Sequence, residues 1–172
     1  RQRQMCIRDR GLGSGSLKPI NANNDTEYHS SSVYGGSFDY QWPLSSWLST
    51  SLMVHESGGE GSMPTKSEYK YYKSGIIGLQ LKIWMGPLYL GVHGGQYYLT
   101  WIESMSAYSG IQQAGGSGYS IGFETSSGWF LAAFSDQSET FSFDEMPDQQ
   151  LEGNRVMLCL LYTSPSPRDS SE

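Results

Sequence analysis

Three histidines occur in the 172-residue chain: His29, His55 and His93. One of them stands beside a nucleophile, in the run His55-Glu56-Ser57. On an extended segment alternate side chains share a face, so His55 and Ser57 lie together with Glu56 between them. Acyl chemistry needs a base oriented by an acid next to the nucleophile, and spacing alone does not supply that geometry. No catalytic residue is therefore assigned, and His93 reads as a hydrogen-bonded interior residue. Carboxylates gather at Asp136, Glu139, Asp144, Glu145 and Asp148. Calcium is the chemistry such a set could do, but the spacing of an EF-hand loop is absent. The stretch reads as a solvated acidic loop, and no metal or cofactor is expected.

Both cysteines, Cys6 and Cys159, lie near the ends of the chain. The run MCIRD at Met5–Asp9 and the run CLLYTSPSPRD at Cys159–Asp169 resemble translated sequencing-adapter DNA. Residues 1–10 and 159–172 are therefore expected to be foreign to the central segment 11–158. Five of the eleven basic residues fall in these ends, against three of the seventeen acidic ones. The central segment keeps six basic and fourteen acidic side chains, a net charge of −8. Such a segment does not bind nucleic acid through its phosphates. Without cysteine it has no disulfide framework, zinc–thiolate site or thiol catalysis.

The elements that must carry these residues are strands. No helical periodicity stands out, and period-two alternation recurs between Gly, Pro and Ser turns. Ile77, Leu79, Leu81, Ile83 and Met85 share one face, with Gly78, Gln80, Lys82 and Trp84 on the other. After Gly86-Pro87, Leu88, Leu90 and Val92 share a face. The apolar parity then shifts to Tyr97, Leu99 and Trp101, so a β-bulge is expected at Gly94-Gly95. Tyr34, Gly36, Phe38 and Tyr40 alternate with Gly35, Ser37 and Asp39, and Leu48, Thr50, Leu52 and Val54 with Ser49, Ser51, Met53 and His55. Tyr119, Ile121 and Phe123 alternate with Ser120, Gly122 and Glu124. Phe130, Ala132 and Phe134 follow on the next strand, and a last strand reaches Val156 and Leu158.

The connections alternate in length. Short ones fall at Pro43, Gly86-Pro87 and 126–128, and long ones at about 56–69, 103–117 and 136–152. Outer-membrane barrels sort their loops this way, with short periplasmic turns and long extracellular loops. The expected fold is all-β: an antiparallel up-and-down transmembrane β-barrel of about eight strands with a truncated N-terminal strand. An eight-stranded barrel has room inside for side chains only. Gly35, Ser37, Ser49, Ser51, Gly78, Gly91 and Gly122 supply a small inward set. Asp39, Lys82 and Glu124 are inward by parity at similar depths, so Lys82 either pairs with Asp39 or Glu124 or is solvated alone. Ile77, Leu79, Leu81 and Ile83 are expected to face lipid.

On these strands, and on phrases such as KSGIIGLQLKIWMGPLYLGVHGGQYY and SGYSIGFETSSGWFLAAF, the chain resembles the small outer-membrane barrels typified by the transmembrane domain of OmpA. The resemblance covers most of residues 31–158. It implies a place in the bacterial outer membrane, with lipid and lipopolysaccharide as partners and loops meeting an unidentified ligand outside. It also implies aromatic girdles at the two interfaces, with Tyr40, Trp42 and Phe123 on the periplasmic side and Tyr98 and Trp101 on the outer side. The role so implied is structural or surface-interacting. The alternatives are a lipid-modifying barrel enzyme and a soluble, lipocalin-like ligand-binding barrel.

Overall fold

The computed structural model describes residues 4–7, 13–21, 30–61, 71–104, 107–108, 110–126, 129–144, 148–160 and 162–163. Side-chain environments are described for residues 35–158 apart from 36, 60–70, 103–109, 127–128 and 145–147. These residues form eleven strands and no helix: β1 Gln4–Ile7, β2 Gly13–Asn21, β3 Ser30–Pro43, β4 Leu48–Gly61, β5 Tyr71–Met85, β6 Leu88–Ser104, β7 Ala107–Tyr108, β8 Gln112–Glu124, β9 Trp129–Ser138, β10 Gln149–Leu160 and β11 Tyr162–Thr163.

Every pairing is antiparallel, and the sheet runs from β3 through β4, β5, β6, β8, β9 and β10 to β2. The free edge of β2 lies against β3, where β1 also pairs. The sheet thus curls into an up-and-down barrel whose end strands, β2 and β3, meet at a seam. Of the expected foreign ends, Gln4–Ile7 pairs with β3, Cys159 and Leu160 continue β10, and Tyr162–Thr163 pairs with β1. The remainder of 1–10 and 159–172 lies outside the described residues.

Local chemistry sets the hairpins. Gly86, with a φ of 66°, takes the first central position of the two-residue β5–β6 turn, and Pro87 takes the second. A turn of this kind wants glycine first, and it matches the twist of the strands. At the β3–β4 turn the Ser45 hydroxyl accepts from the backbone amides of Trp47 and Leu48 at 3.3 and 3.1 Å. The Thr125 hydroxyl accepts from the Trp129 amide at 2.9 Å and closes the β8–β9 turn.

Two sequence expectations are corrected. First, no bulge sits at Gly94-Gly95, because the β5–β6 register runs unbroken from Met85↔Leu88 to Tyr71↔Ile102. Parity therefore carries Tyr97, Leu99 and Trp101 inward on the same face as Tyr89, Gly91 and His93. The register shift in β3 falls between Ser31 and Tyr34 instead. Second, β9 runs on to Ser138 and β10 starts at Gln149, so Asp136 and Glu152 lie in strands rather than in a loop. On β9, Phe130, Ala132 and Phe134 line the inside, while Trp129 and Leu131 point out.

The outer wall follows the expected alternation on β5, with Ile77, Leu79, Leu81 and Ile83 exposed by 54, 60, 42 and 46% in the isolated chain. Apolar Leu88, Leu90, Val92, Ile121, Leu131 and Val156 continue that outward surface on neighbouring strands.

Candidate functional site

The chemistry-bearing side chains converge inside the barrel, in layers. Nearest the short turns, the rings of Trp84, Tyr89 and Phe130 pack in a row, with centroids 5.2 and 5.6 Å apart and the second pair stacked. The Trp84 indole donates to Ser49 Oγ at 2.7 Å. Above these rings Lys82 Nζ donates to Asp39 Oδ2 at 2.7 Å and to Gln41 Oε1 at 3.3 Å. It lies 5.3 and 5.6 Å from the Tyr89 and Phe130 ring centres, within reach of their π faces. Next, Gln80 Nε2 donates to Ser120 Oγ at 2.6 Å. Glycines make the room: a Cβ at Gly122 would overlap the Tyr89 ring, and one at Gly118 would overlap Ser135 O and the His93 ring.

The middle of the barrel holds a second ion cluster, centred on Asp136. Arg155 binds it with two hydrogen bonds, Nε to Oδ2 at 2.7 Å and Nη2 to Oδ1 at 2.8 Å. This bidentate fork is the strongest geometry available to such a pair. The Tyr97 hydroxyl donates to Oδ1 at 2.8 Å, and His93 Nε2 lies 2.9 Å from the same oxygen. A carboxylate paired with arginine offers no hydrogen, so Nε2 carries the one in that contact. Phe134 packs edge-on to His93, and its ring lies under the Arg155 guanidinium.

Toward the long loops the interior turns apolar. Ile76, Leu99, Leu151, Tyr72 and Trp101 are buried there, joined by Phe141 and Phe143 from the β9–β10 connection. That connection is tied down by a bridge between Phe141 and Gln149. The Trp101 indole donates to Gln149 Oε1 at 2.8 Å and its ring packs on Tyr72.

The sequence-assigned residues divide accordingly. Lys82 meets Asp39, whereas Glu124 stands half-buried at the last pair of the β8–β9 ladder. Tyr40 and Trp42 stack edge to face on the outer wall, and Phe123 is exposed on the same wall near the turns. Tyr98 also faces outward, covering Gly75. Trp101 does not belong with them: it is fully buried inside. Its strand reaches well past the apolar belt, where the outside meets water and bulky apolar side chains gain by turning inward. Two exposed tryptophans near the turns, Trp47 and Trp129, were missed. Parity with Leu131 signals the second of them.

Asp136 and Arg155 were also missed as a site, because the acid had been counted with a solvated loop. In the structure Asp136 is 2% exposed and Arg155 5%, while Glu139, Asp144 and Asp148 remain at the surface. Glu145 lies outside the described residues. His55 and Ser57 do face inward together, and Ser57 Oγ lies 3.0 Å from Ser74 Oγ. Glu56, however, is on the outer wall, 4.0 Å from Lys73 Nζ. Those three side chains therefore do not form a relay. A cavity of about 10 Å³ beside them, lined by His55, Ser74, Tyr97 and Arg155 among others, is no larger than one water.

No protein-family model and no curated protein matches the chain. Among solved structures, the crystal structure of Neisserial surface protein A (NspA) is similar in fold. It aligns with a TM-score of 0.58 at 10% identity, over 92% of this chain and 94% of that one. The N-terminal β-barrel domain of Pseudomonas aeruginosa OprF aligns with a TM-score of 0.40 at 16% identity, over 89% of this chain and 100% of that domain. The chain thus has the fold of an outer-membrane β-barrel.

Proposed function

We propose that this chain is a bacterial outer-membrane barrel with a structural or surface-interaction role, without catalysis and with a sealed interior. One observation carries the reading: the distribution of polarity is inside-out. Aliphatic rows face outward and stand exposed, while a lysine, an arginine and two aspartates are buried in the lumen. In water that arrangement exposes apolar surface for no return. In lipid each outward aliphatic side chain is solvated and each inward charge is paired. A lipocalin-like soluble barrel would reverse the two faces.

The sealed interior rests on the layers. Aromatic rings close the turn end, two ion clusters occupy the middle, and Tyr72, Trp101, Phe141 and Phe143 fill the far end. On this reading lipid and lipopolysaccharide surround the wall, and any external ligand meets the long loops rather than the lumen. Residues 1–10 and 159–172 are read as adapter-derived, so the pairing of Gln4–Ile7 with β3 and the run of β10 into Leu160 carry no function on this reading.

The test is refolding from urea into phosphatidylcholine vesicles, followed by flotation and single-channel recording. The chain is expected to float with the vesicles, gain strand signal and give no steady conductance. A monomer that stays soluble without lipid or detergent would refute the membrane role. Steady channels from the folded chain would refute the sealed interior alone.

A further inference from the structure

The apolar belt is not equally tall around the barrel. On β5 outward positions are apolar from Met85 up to Ile77. Eight residues of tilted strand cover roughly 20 Å. On β6 the outward apolar set ends at Val92, and Gly94 and Gln96 follow. Gly94 lies six residues above Leu88, which is only about 15 Å on the same tilt, against a typical belt of ~25 Å.

The short side is a continuous patch. Gly94 pairs with Ser117, Ser117 with Gln137 and Gln137 with Glu152, so one cross-strand row is polar over four strands. Ser135 and Asn154 pair in the row below, and Gln96 and Gly115 in the row above. Gln96, Ser117, Gln137, Glu152 and Asn154 are all exposed. A Cβ at Gly94 would meet nothing closer than 3.5 Å, so the wall is open there.

We propose that this polar wall of β6, β8, β9 and β10 is a lateral contact with a second copy of the same chain. The inference rests on the membrane reading above. Acyl chains offer amides and hydroxyls no partner, and each buried unsatisfied group costs several kcal/mol, on the order of 2–7. Lipid phosphates do not fit either. Among the described residues no lysine or arginine side chain of these four strands points outward, since Arg155 faces the lumen, and the exposed carboxylates Glu139 and Glu152 repel an anion, with Lys18 of β2 opposite Glu152 in the register. A partner that offers both donors and acceptors is required. Two copies inserted the same way round are related by an axis along the membrane normal. Residues near that axis then meet their own copies at equal depth. Side-chain amides and hydroxyls both donate and accept, so glutamine can pair with glutamine and serine with serine. Gly94, open on its outer side, lets the two walls approach closely there.

The experiment uses the full chain with Cys6→Ser and Cys159→Ser, refolded into phosphatidylcholine vesicles and treated with a short bis-maleimide. Ser117→Cys places a thiol in the patch, and Leu81→Cys places one on the tall apolar wall of β5. Cross-linked dimer is expected several-fold more abundantly at position 117 than at 81. Adding Gln96→Leu and Gln137→Leu, which extends the apolar belt, should bring the yield at 117 down to that at 81. Equal yields at both positions in an inserted barrel overturn the contact and leave the membrane reading standing. A chain that fails to float with the vesicles overturns both.

Discussion

Removing the central acid tests the lumen most sharply. Asp136→Ala leaves the Arg155 guanidinium, only 5% exposed, without its carboxylate. It also removes the acceptor for Tyr97 OH and the partner of His93 Nε2. Breaking a buried pair by removing one partner costs about 3–5 kcal/mol, because the surviving charge is uncompensated. A stranded hydroxyl adds ~1–3 kcal/mol where no water reaches it. The single variant is therefore expected to lose at least ~3 kcal/mol, read as the shift in urea midpoint of the barrel in vesicles with the slope unchanged. Arg155→Met alone should cost a similar amount, since it leaves Asp136 facing an apolar neighbour. The double variant Asp136→Ala/Arg155→Met removes both charges. It should be more stable than the sum of the singles by roughly 2 kcal/mol or more, within the usual range for residues in contact. Additive effects, or a single-variant loss under ~1 kcal/mol, would refute the claim that this pair is buried and tightly coupled. Such a result would point to a water-filled lumen that solvates the arginine.

Further outcomes follow from the same geometry. Leu81→Lys places a cation on the lipid-facing wall and should cost ~2–4 kcal/mol if the position is near mid-depth, read by the same urea midpoint; no loss would contradict the outward belt. Gly122→Val drives a side chain into the Tyr89 ring and should cost roughly 1–3 kcal/mol by overpacking, whereas Ser126→Val in the exposed turn should change little. In single-tryptophan variants, Trp42 and Trp129 should be quenched by lipids brominated close to the headgroup, and Trp101 should not be; equal quenching would return Trp101 to the outer surface.

Much of the barrel was legible in the sequence because a strand has a period of two and a membrane enforces what each face must be. The alternation at Ile77 to Met85 is enough to send Lys82 inward, and once Lys82 is inside a narrow barrel an acid of matching depth is its natural partner. Asp39 fits that depth because both lie four residues before a short turn. The turns were legible for an equally local reason: Gly86-Pro87 has few backbone options other than the one it adopts.

What the sequence by itself determined ends where local pattern stops dictating the face. At Gly94-Gly95 a shift in apolar parity has two readings. Either the strand bulges and Trp101 stays outside, or the register holds and Trp101 goes in. Nothing within the strand chooses between them. The choice is made by the neighbours, since the β5–β6 ladder holds its register and Tyr72, Gln149 and Leu151 on other strands offer Trp101 an apolar site with one acceptor. Asp136 and Arg155 are similar. They lie 19 residues apart in sequence, the acid at the start of the expected loop and the arginine in the strand just past its end. Only the pairing of β6 with β8, β8 with β9 and β9 with β10 brings that acid to the arginine, His93 and Tyr97. Alternation is a property of one strand and survives in the sequence, whereas the contents of the lumen depend on register among six or more strands and exist only after closure.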